Sequence, residues 1–243
     1  MTTISIITCV TGEPESLRKT AQSISPYLSQ QLNWVIKFSD KSAESFIEGF
    51  KASYVAIYRQ ADSSLYEAMN QALELCNSEY YMVLGAGDAL LPEGIEALCA
   101  QLTSRPSHAP SYHAPLIFAT TGTVFMPQPD AMKYFMSCPH PSSLLKVKNS
   151  IAINGFNINY QIASDYDHLS RYAITFGVGE TLNLPPLVSY MGGGISDVRA
   201  LEAFIEETLI RIRIWKASDI RIMGDLLNHS ALNISNNIRH NFP

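Results

Sequence analysis

The feature that most constrains the fold is an alternation, within the first hundred residues, of short apolar runs and segments with apolar side chains at helical spacing. The apolar runs are ISIITCV at residues 4–10, WVIKF at 34–38, YVAIY at 54–58 and YYMVL at 80–84. Helical spacing is found over residues 17–28, 65–76 and 92–102. Strands that alternate with helices form a mostly parallel sheet with helices on both faces. The sequence therefore predicts an α/β fold in a single domain.

The middle of the chain gives weaker signals. Residues 104–115 are rich in Pro, Ser and His and predict a loop, whereas residues 117–126 predict a hairpin that turns at Thr121-Gly122. Residues 127–160 show no regular period, so we expect irregular structure there. Residues 187–191 predict a last strand.

Two helices are predicted in the C-terminal half. One spans residues 165–176, and the hydroxyl of Ser164, just before it, is suited to cap it. The other spans residues 200–215 and is amphipathic. We place the main domain at residues 1–200 and assign residues 201–243 to a helical extension that packs on this domain or lies at an interface.

Composition excludes several classes of protein. Of 243 residues, 47% are hydrophobic and 16% charged, which is typical of a globular chain. The net charge of −5 provides no positive field for nucleic acid, and four cysteines without CxxC spacing argue against a zinc site or a disulfide framework. The N-terminus does not resemble a signal peptide, and no apolar run approaches the ~18 residues of a membrane span. We therefore expect a cytoplasmic protein.

The sequence signatures of other α/β enzymes are missing. The chain has no GxGxxG after its first apolar run, no GxxxxGK[ST] and no GxSxG. These motifs are typical of dinucleotide-binding enzymes, P-loop NTPases and α/β-hydrolases. A nucleotidyltransferase with a related sheet needs a Gly-rich basic loop after the first run, which Thr11-Gly12-Glu13-Pro14 does not provide.

Polar side chains follow three of the predicted strands. Thr8 and Thr11 end the first, Asp40 follows the second, and Asp88 follows the fourth after two glycines that let a ligand approach the backbone. In open α/β sheets, ligands bind beyond the carboxyl ends of the strands. Two acids at that edge can bind a base or ribose and a divalent metal. Asp is also frequent in turns, and spacing alone leaves both interpretations open.

Five segments, in order along residues 1–200, resemble family-2 glycosyltransferases, which have the GT-A fold. They are DSSLYEAMN at 62–70, LGAGD at 84–88, PH at 139–140, YQIASDYD at 160–167 and MGGGIS at 191–196. The strongest likeness is to bacterial enzymes of exopolysaccharide synthesis, such as the colanic acid type. The resemblance implies that a sugar moves, with inversion, from a nucleoside diphosphate to an acceptor hydroxyl during synthesis of a surface polysaccharide.

The resemblance also implies roles for individual residues. Asp165 resembles the catalytic base, and Asp88 resembles the acid that binds Mn²⁺ or Mg²⁺. Contacts with the nucleotide and its diphosphate are implied for Thr8, Thr11, Asp40, Asp62, Ser64, Gly87 and His140.

The residues alone favour a simpler interpretation of Asp165. Ser164 to Asp167 is typical of a helix start, with a Ser cap and acids that complement the helix dipole. With the resemblance, we assign Asp165 as the base and Asp167 as the dipole partner. Because a helix N-terminus favours negative charge, we expect Asp165 to be ionised at neutral pH.

The sequence is compatible with more than one acceptor and with two levels of activity. The resemblance implies a saccharide or a lipid-linked saccharide as acceptor. The helix over residues 200–215 interleaves apolar and basic side chains, which fits contact with the inner face of a membrane, packing on the domain or a homodimer interface. Since residues 85–88 keep one carboxylate, the alternative is a catalytically weakened nucleotide-binding or assembly subunit.

Overall fold

The computed structural model describes residues 2–10, 15–39, 53–104 and 109–216. The strands are β1 (Ile4–Val10), β2 (Leu32–Phe38), β3 (Val55–Arg59), β4 (Tyr80–Val83), β5 (Ala89–Leu90), β6 (Ser111–His113), β7 (Leu116–Phe118), β8 (Val124–Phe125), β9 (Ser143–Lys146), β10 (Glu180–Thr181) and β11 (Val188–Tyr190). The α-helices are α1 (Glu15–Ile24), α2 (Leu65–Glu74), α3 (Pro92–Ser104), α4 (Val147–Ala152), α5 (Ser164–Phe176), α6 (Ile195–Val198) and α7 (Ala200–Trp215).

The larger sheet has seven strands in the order β10-β6-β9-β4-β1-β2-β3. Strand β1 pairs in parallel with β2 and β4, and β2 pairs in parallel with β3. Strand β9 runs antiparallel to both of its neighbours, β4 and β6. The predicted mostly parallel sheet is therefore confirmed, and the carboxyl ends of β1, β2, β3 and β4 share one edge.

Helices cover both faces of this sheet, as predicted. On one face, Ile6 of β1 packs in a core that includes Leu17 of α1 and Ile95 of α3. On the other face, Ile7 packs in a core with residues of α2, α5 and α7. Because Ile6 and Ile7 of β1 enter different cores, apolar side chains are needed on both faces, and the strand reads as a largely apolar run interrupted by Ser5 and Thr8.

A smaller sheet of four strands has the order β5-β11-β7-β8. Its β7 and β8 form the hairpin predicted for residues 117–126, and Gly122 takes the positive φ of 70° in the turn. Strand β11 pairs with β5, which follows β4 after a short loop. This pairing brings the end of β11 beside the end of β4.

Two expectations for the middle of the chain are wrong. The loop predicted at residues 104–115 contains β6, and the irregular segment predicted at 127–160 contains β9 and α4. Strand β6 is polar, but His113 is buried and bonds through Nδ1 with Ser143 Oγ (2.8 Å) and through Nε2 with the Val178 carbonyl (3.0 Å). Hydrogen bonds to distant segments satisfy these polar atoms, and local sequence periodicity gives no sign of them.

Helix α7, the described part of the predicted extension, packs on α5. Trp215 Nε1 donates a hydrogen bond to Ser170 Oγ (2.9 Å), and Ile210 is buried in the core shared with α2 and α5. Across the described residues, we find no helix with the length and apolar character needed to cross a bilayer.

Candidate active site

A cavity of about 440 Å³ opens where the end of β4, the segment before β9, the start of α5 and the segment after β11 meet. Its volume falls within the range of roughly 300–1,000 Å³ typical of small-molecule sites. Three residues predicted to act in the site line this cavity: Asp88, His140 and Asp165.

The topology explains why these three residues converge. Asp88 follows β4, and His140 opens a short 3-10 helix, His140–Ser142, that leads into β9. Because β9 runs antiparallel to β4, its beginning lies at the edge where β4 ends. Asp165 lies in the first turn of α5.

The turn that carries Asp88 is held by a side chain from α1. Thr20 Oγ1 donates to the carbonyl of Asp88 (2.7 Å) and accepts from the N–H of Gly87 (2.9 Å). The N–H of Asp88 donates to the carbonyl of Gly85 (3.1 Å), and Gly87 has a φ of 104°, which favours glycine. Thr20 therefore fixes the backbone from which the Asp88 carboxylate projects.

The Asp88 carboxylate is buried and lies close to its own backbone. Its Oδ1 accepts from the N–H of Met191 (2.8 Å), and a Cβ added at Gly85 would lie 2.8 Å from Oδ2. Glycine at position 85 therefore leaves room for this carboxylate. Burial raises the pKa of Asp88, while the N–H groups of Met191 and Gly85 and the charge of Lys19 oppose the rise.

The Asp88 carboxylate fits a divalent ion that would take its other oxygen ligands from a bound substrate and from water. Within the described ranges, no group of three His, Cys, Asp or Glu side chains could hold a metal by itself. Mg²⁺ commonly binds through one or two carboxylates together with substrate phosphates. A cation would also compensate the burial that now disfavours the charged form of Asp88.

His140 is a buried, neutral imidazole. Burial lowers its pKa to about 4, and its ring meets Phe156 edge to face at 5.4 Å. Among the described residues, none forms a hydrogen bond with Nε2 of His140. A buried polar atom without a partner costs about 1–3 kcal/mol, so a ligand in the cavity that bonds to Nε2 would gain affinity.

Asp165 differs from the expectation that it is ionised at neutral pH. Its Oδ1 accepts from the N–H of Tyr166 (2.9 Å), but burial, together with the charges of Glu207 and Glu206, raises its pKa to about 7. The expectation was wrong because desolvation and these two carboxylates outweigh the helix N-terminus. Near pH 7 the group exchanges readily between its two protonation states.

Tyr66 joins two of the segments that carry the resemblance. Its hydroxyl donates to the carbonyl of Ile162, and the N–H groups of Ser164 and Asp165 lie against it. The Tyr66 ring stacks on Phe156 at 6.1 Å. Helical spacing predicts only a core residue here, whereas the hydroxyl contacts the backbone beside Asp165.

Comparison with solved structures identifies the fold. TarS of S. aureus, in complex with UDP-GlcNAc, matches with a TM-score of 0.67 at 10% identity, over 87% of this chain and 67% of that chain. Mannosyltransferase PcManGT of Pyrobaculum calidifontis, in complex with GDP-Man and Mn²⁺, matches with a TM-score of 0.60 at 12% identity, over 95% and 80%. Glucosyl-3-phosphoglycerate synthase of Mycobacterium tuberculosis, with Mn²⁺, UDP and phosphoglyceric acid, matches with 0.61 at 12%, over 88% and 79%. The chain has the GT-A fold.

At these identities, the likeness is one of fold alone. No protein-family model matches the chain, and none of the curated proteins matches its sequence. The chain spans 66% of the TarS 1-349 structure and 43% of the longer TarS structure.

Two residues predicted to contact the nucleotide are engaged elsewhere in this GT-A fold. Thr8 is fully buried, and its Oγ1 accepts from Trp34 Nε1 (3.0 Å), so its hydroxyl is part of the core. Asp62 accepts from Lys37 Nζ (2.6 Å) and from Ser39 Oγ (2.5 Å). These contacts give both side chains a structural role and leave them outside the cavity wall.

The other predicted contacts have different outcomes. Ser64 is the N-cap of α2, where its hydroxyl accepts from the N–H of Glu67 (3.2 Å). Gly87 shapes the turn before Asp88 and does not line the cavity. Thr11 and Asp40 lie outside the described residues.

The predicted Ser164 cap is wrong, and the actual arrangement involves a residue that sequence reasoning missed. Ala163 takes the N-cap position of α5, and the Ser164 hydroxyl is buried without a hydrogen-bond partner among the described residues. The N–H groups of residues 161–163 instead donate to the carboxylate of Glu206 on α7. A single Glu in an amphipathic helix gives no sequence signal for such a contact.

Proposed function

We propose that the protein is a glycosyltransferase that moves a sugar, with inversion, from a nucleoside diphosphate to an acceptor hydroxyl in the synthesis of a bacterial surface polysaccharide. The observation that carries the proposal is the convergence of Asp88, His140 and Asp165 on one cavity of a GT-A fold. Support comes from the three solved structures described above, whose ligands are UDP-GlcNAc, GDP-Man and UDP.

Asp165 is the catalytic base in this proposal. A base is most effective when its pKa lies near the working pH, and burial raises the pKa of Asp165 to about 7. The acceptor oxygen attacks the anomeric carbon and gives its proton to Asp165. The bond from that carbon to the diphosphate oxygen breaks, and its electron pair leaves with the diphosphate. Attack on the face opposite the leaving group inverts the configuration.

Asp88 and His140 bind the donor in this proposal. Asp88 would hold Mn²⁺ or Mg²⁺, and the chemistry that such an ion would supply is stabilisation of the charge that develops on the leaving diphosphate. Neutral His140 forms a hydrogen bond with a phosphate oxygen or a sugar hydroxyl, which satisfies its buried Nε2. Contacts of Thr11 and Asp40 with the nucleoside stay part of the proposal on the basis of the resemblance alone.

The acceptor is a saccharide or a lipid-linked saccharide, and the cavity wall favours the lipid-linked class. Much of the wall is apolar, including Leu65, Met69, Leu116, Phe118, Phe125 and Met136. Free saccharides present hydroxyl groups that such a wall leaves without hydrogen bonds. An acceptor with an apolar portion would bury that portion here.

An exposed apolar face on α7 supports contact with the inner face of a membrane. Leu201, Ile205, Leu209 and Ile212 lie one turn apart on the solvent side of this helix. A homodimer that uses the same face is the alternative. Two measurements distinguish these alternatives. A membrane-binding face should make the protein co-sediment with anionic vesicles. A homodimer should give twice the monomer mass in light scattering without lipid.

The proposal is tested in two steps. Nucleoside diphosphate sugars, with and without Mn²⁺, are first screened by thermal shift, because ligands that bind only the folded protein raise its melting temperature. The donors that stabilise the protein are then assayed for release of the nucleoside diphosphate. We expect a metal-dependent shift and slow hydrolysis with at least one donor.

The alternative function, a nucleotide-binding or assembly subunit with weakened activity, predicts a different pattern. Its support is that the segment at residues 85–88 keeps a single carboxylate. A metal-dependent thermal shift without turnover, across donors and lipid-linked acceptors, would favour this alternative. Absence of binding to every nucleoside diphosphate would overturn both functions.

A further inference from the structure

The backbone that leads into α5 is held by a carboxylate from another helix. Glu206, on α7, accepts at Oε1 from the N–H of Gln161 (2.9 Å) and at Oε2 from the N–H groups of Ile162 (2.9 Å) and Ala163 (2.8 Å). Three successive N–H groups therefore converge on one charged acceptor, an arrangement that binds anions well. Asp165 follows two residues after the last of these donors.

This contact takes the place of a local helix cap. The N-cap of α5, Ala163, has no side-chain cap, and Ser164 does not supply one. Hydrogen bonds to an ionised acceptor are roughly twice as strong as those between neutral groups. Glu206 is therefore the principal side-chain acceptor for the backbone at residues 161–163.

Tyr66 holds the same backbone from α2. Its hydroxyl donates to the carbonyl of Ile162, while the N–H groups of Ser164 and Asp165 lie against it. The segment at residues 161–165 is thus fixed by side chains from two helices that are distant in sequence. Its geometry depends on α7 as much as on α5 itself.

The charges around Asp165 come from several elements. Glu206 and Glu207 face it from α7, with Arg211 next to Glu207, and the Tyr66 hydroxyl faces it from α2. Across the cavity lie Asp88 and His140. On its own helix, Asp167 is paired with Arg171 at 2.7 Å.

We propose that Glu206 is a positioning residue for the Asp165 base, which it acts on by fixing the backbone at residues 161–163 and by adding a negative charge nearby. The proposal rests on the proposed function for the role of Asp165 as base. It makes α7, which lies in the predicted C-terminal extension, a working part of the active site.

Two variants of Glu206 separate its geometry from its charge. Glu206→Gln removes the charge and sets an NH₂ group against backbone donors. Glu206→Asp keeps the charge but is too short to reach all three N–H groups. For both we expect kcat to fall roughly tenfold, the loss of about one charge-assisted hydrogen bond, with little change in the donor KM.

The pH profile distinguishes positioning from a merely structural role. Because a nearby negative charge raises the pKa of Asp165, Glu206→Gln should move the acid limb of the kcat profile to lower pH by about 0.5 unit. Glu206→Asp should leave that limb in place. Glu207→Gln should move the limb in the same direction with a smaller loss of kcat.

Glu202→Gln is the matched control, since Glu202 lies on the same helix, is exposed, and is paired with Arg199. It should change neither kcat nor the pH profile. Wild-type kcat and an unmoved acid limb in folded Glu206→Gln would overturn the proposal. If Glu206→Gln does not fold, wild-type kcat in Glu206→Asp overturns it equally.

A second measurement is independent of sugar transfer. The Asp165 carboxyl is titrated by ¹³C NMR in the wild type and in the Glu206 variants. An inactive wild-type enzyme would contradict the proposed function, whereas an Asp165 midpoint that is the same in the wild type and in Glu206→Gln would contradict this inference. The two failures are therefore distinguishable.

Discussion

Two parts of the molecule differ in whether an acid has an ion-pair partner. Beside the ends of β2 and β3, Asp62 is paired at 2.6 Å with Lys37, whose Nζ also donates to the carbonyls of Phe38 and Gln60. In the cavity, Asp88 is buried and Asp165 partly buried, neither has an ion-pair partner among the described residues, and desolvation raises the pKa of each.

This difference in ion pairing distinguishes a structural acid from acids that are available to a ligand. The charge of Asp62 is neutralised by the fold itself, so a ligand has little to add there. Neither Asp88 nor Asp165 has an ion-pair partner among the described residues, so a cation or a proton that arrives with the substrate is favoured. The sequence resemblance implies a role in the site for all three acids. The surroundings of each carboxylate distinguish Asp62, which is paired, from the two acids of the cavity.

The largest expected effect is the loss of activity in Asp165→Asn. An amide cannot accept the acceptor proton, and removal of a general base typically lowers the rate by about 10²–10⁴. The Kd of the donor should stay within about twofold, since the variant keeps the shape of the side chain. Release of the nucleoside diphosphate and isothermal titration with the donor measure the two quantities.

Asp167→Asn is the matched control for this variant, because Asp167 lies on the same helix and its carboxylate is paired with Arg171. It should lose stability and keep most of its kcat. Equal losses of kcat in the two variants would show that any acid at the start of α5 matters only for folding.

The next effect is a loss of stability in Asp62→Asn. The change leaves the ammonium of Lys37 buried without its counter-charge, and breaking a buried ion pair costs about 3 kcal/mol or more. Urea unfolding measures the loss. Glu79→Gln, which breaks the more exposed pair with Lys146 (3.8 Å), should cost less than about 1 kcal/mol.

The double variant Lys37→Met/Asp62→Leu sharpens this comparison, because apolar replacement of a buried pair is often neutral. It should recover more than half of the stability lost in Asp62→Asn. Donor binding should survive in the double variant. A loss of donor binding in the double variant would indicate that Asp62 contributes to the donor site.

The sequence predicts the parts of the fold that bury apolar residues on both sides. Strands β1 and β4 read as largely apolar runs because each lies between two layers of helices. Strands β6 and β9 were missed because they are short and carry polar side chains. The hydrogen bond between His113 and Ser143, which makes the burial of these polar side chains tolerable, joins residues far apart in sequence.

In the site too, local sequence features can be predicted, whereas contacts between distant segments cannot. Asp88, His140 and Asp165 lie within segments that resemble known glycosyltransferases, so sequence alone brings them forward. The role of Glu206 cannot be predicted from sequence because it depends on three N–H groups of another segment. The predicted protonation state of Asp165 is wrong because local sequence shows that the residue lies at a helix N-terminus but does not show how far its carboxyl is desolvated.

A smaller effect is expected from Gly85→Ala. An added Cβ would lie 2.8 Å from Oδ2 of Asp88, and the flexible carboxylate would rotate away. Because displaced neighbours of a metal ligand typically cost about 10–100-fold in metal affinity, Mn²⁺-dependent donor binding should weaken about tenfold. The melting temperature should change little. If Asp88 binds no metal, the donor affinity will change equally with and without Mn²⁺.

The smallest expected effect is a pH-dependent gain of stability in Asp165→Asn. The pKa of Asp165 is raised to about 7 in the folded protein, above its ordinary value of 3.8, so between pH 4 and 7 the unfolded chain releases a proton that the folded protein keeps. The free energy of unfolding therefore falls as pH rises through this window, and the loss is complete above pH 7.

The Asn variant removes this loss while its Oδ1 can still accept from the N–H of Tyr166. One pKa unit corresponds to about 1.4 kcal/mol, and the open cavity reduces the full shift, so we expect a gain of about 1 kcal/mol at pH 8 and almost none at pH 4. Asp62→Asn should lose stability at pH 8, the opposite sign at the same pH. A difference between wild type and Asp165→Asn that does not vary with pH would mean that Asp165 is ionised throughout, and the contrast between the two acids would then disappear.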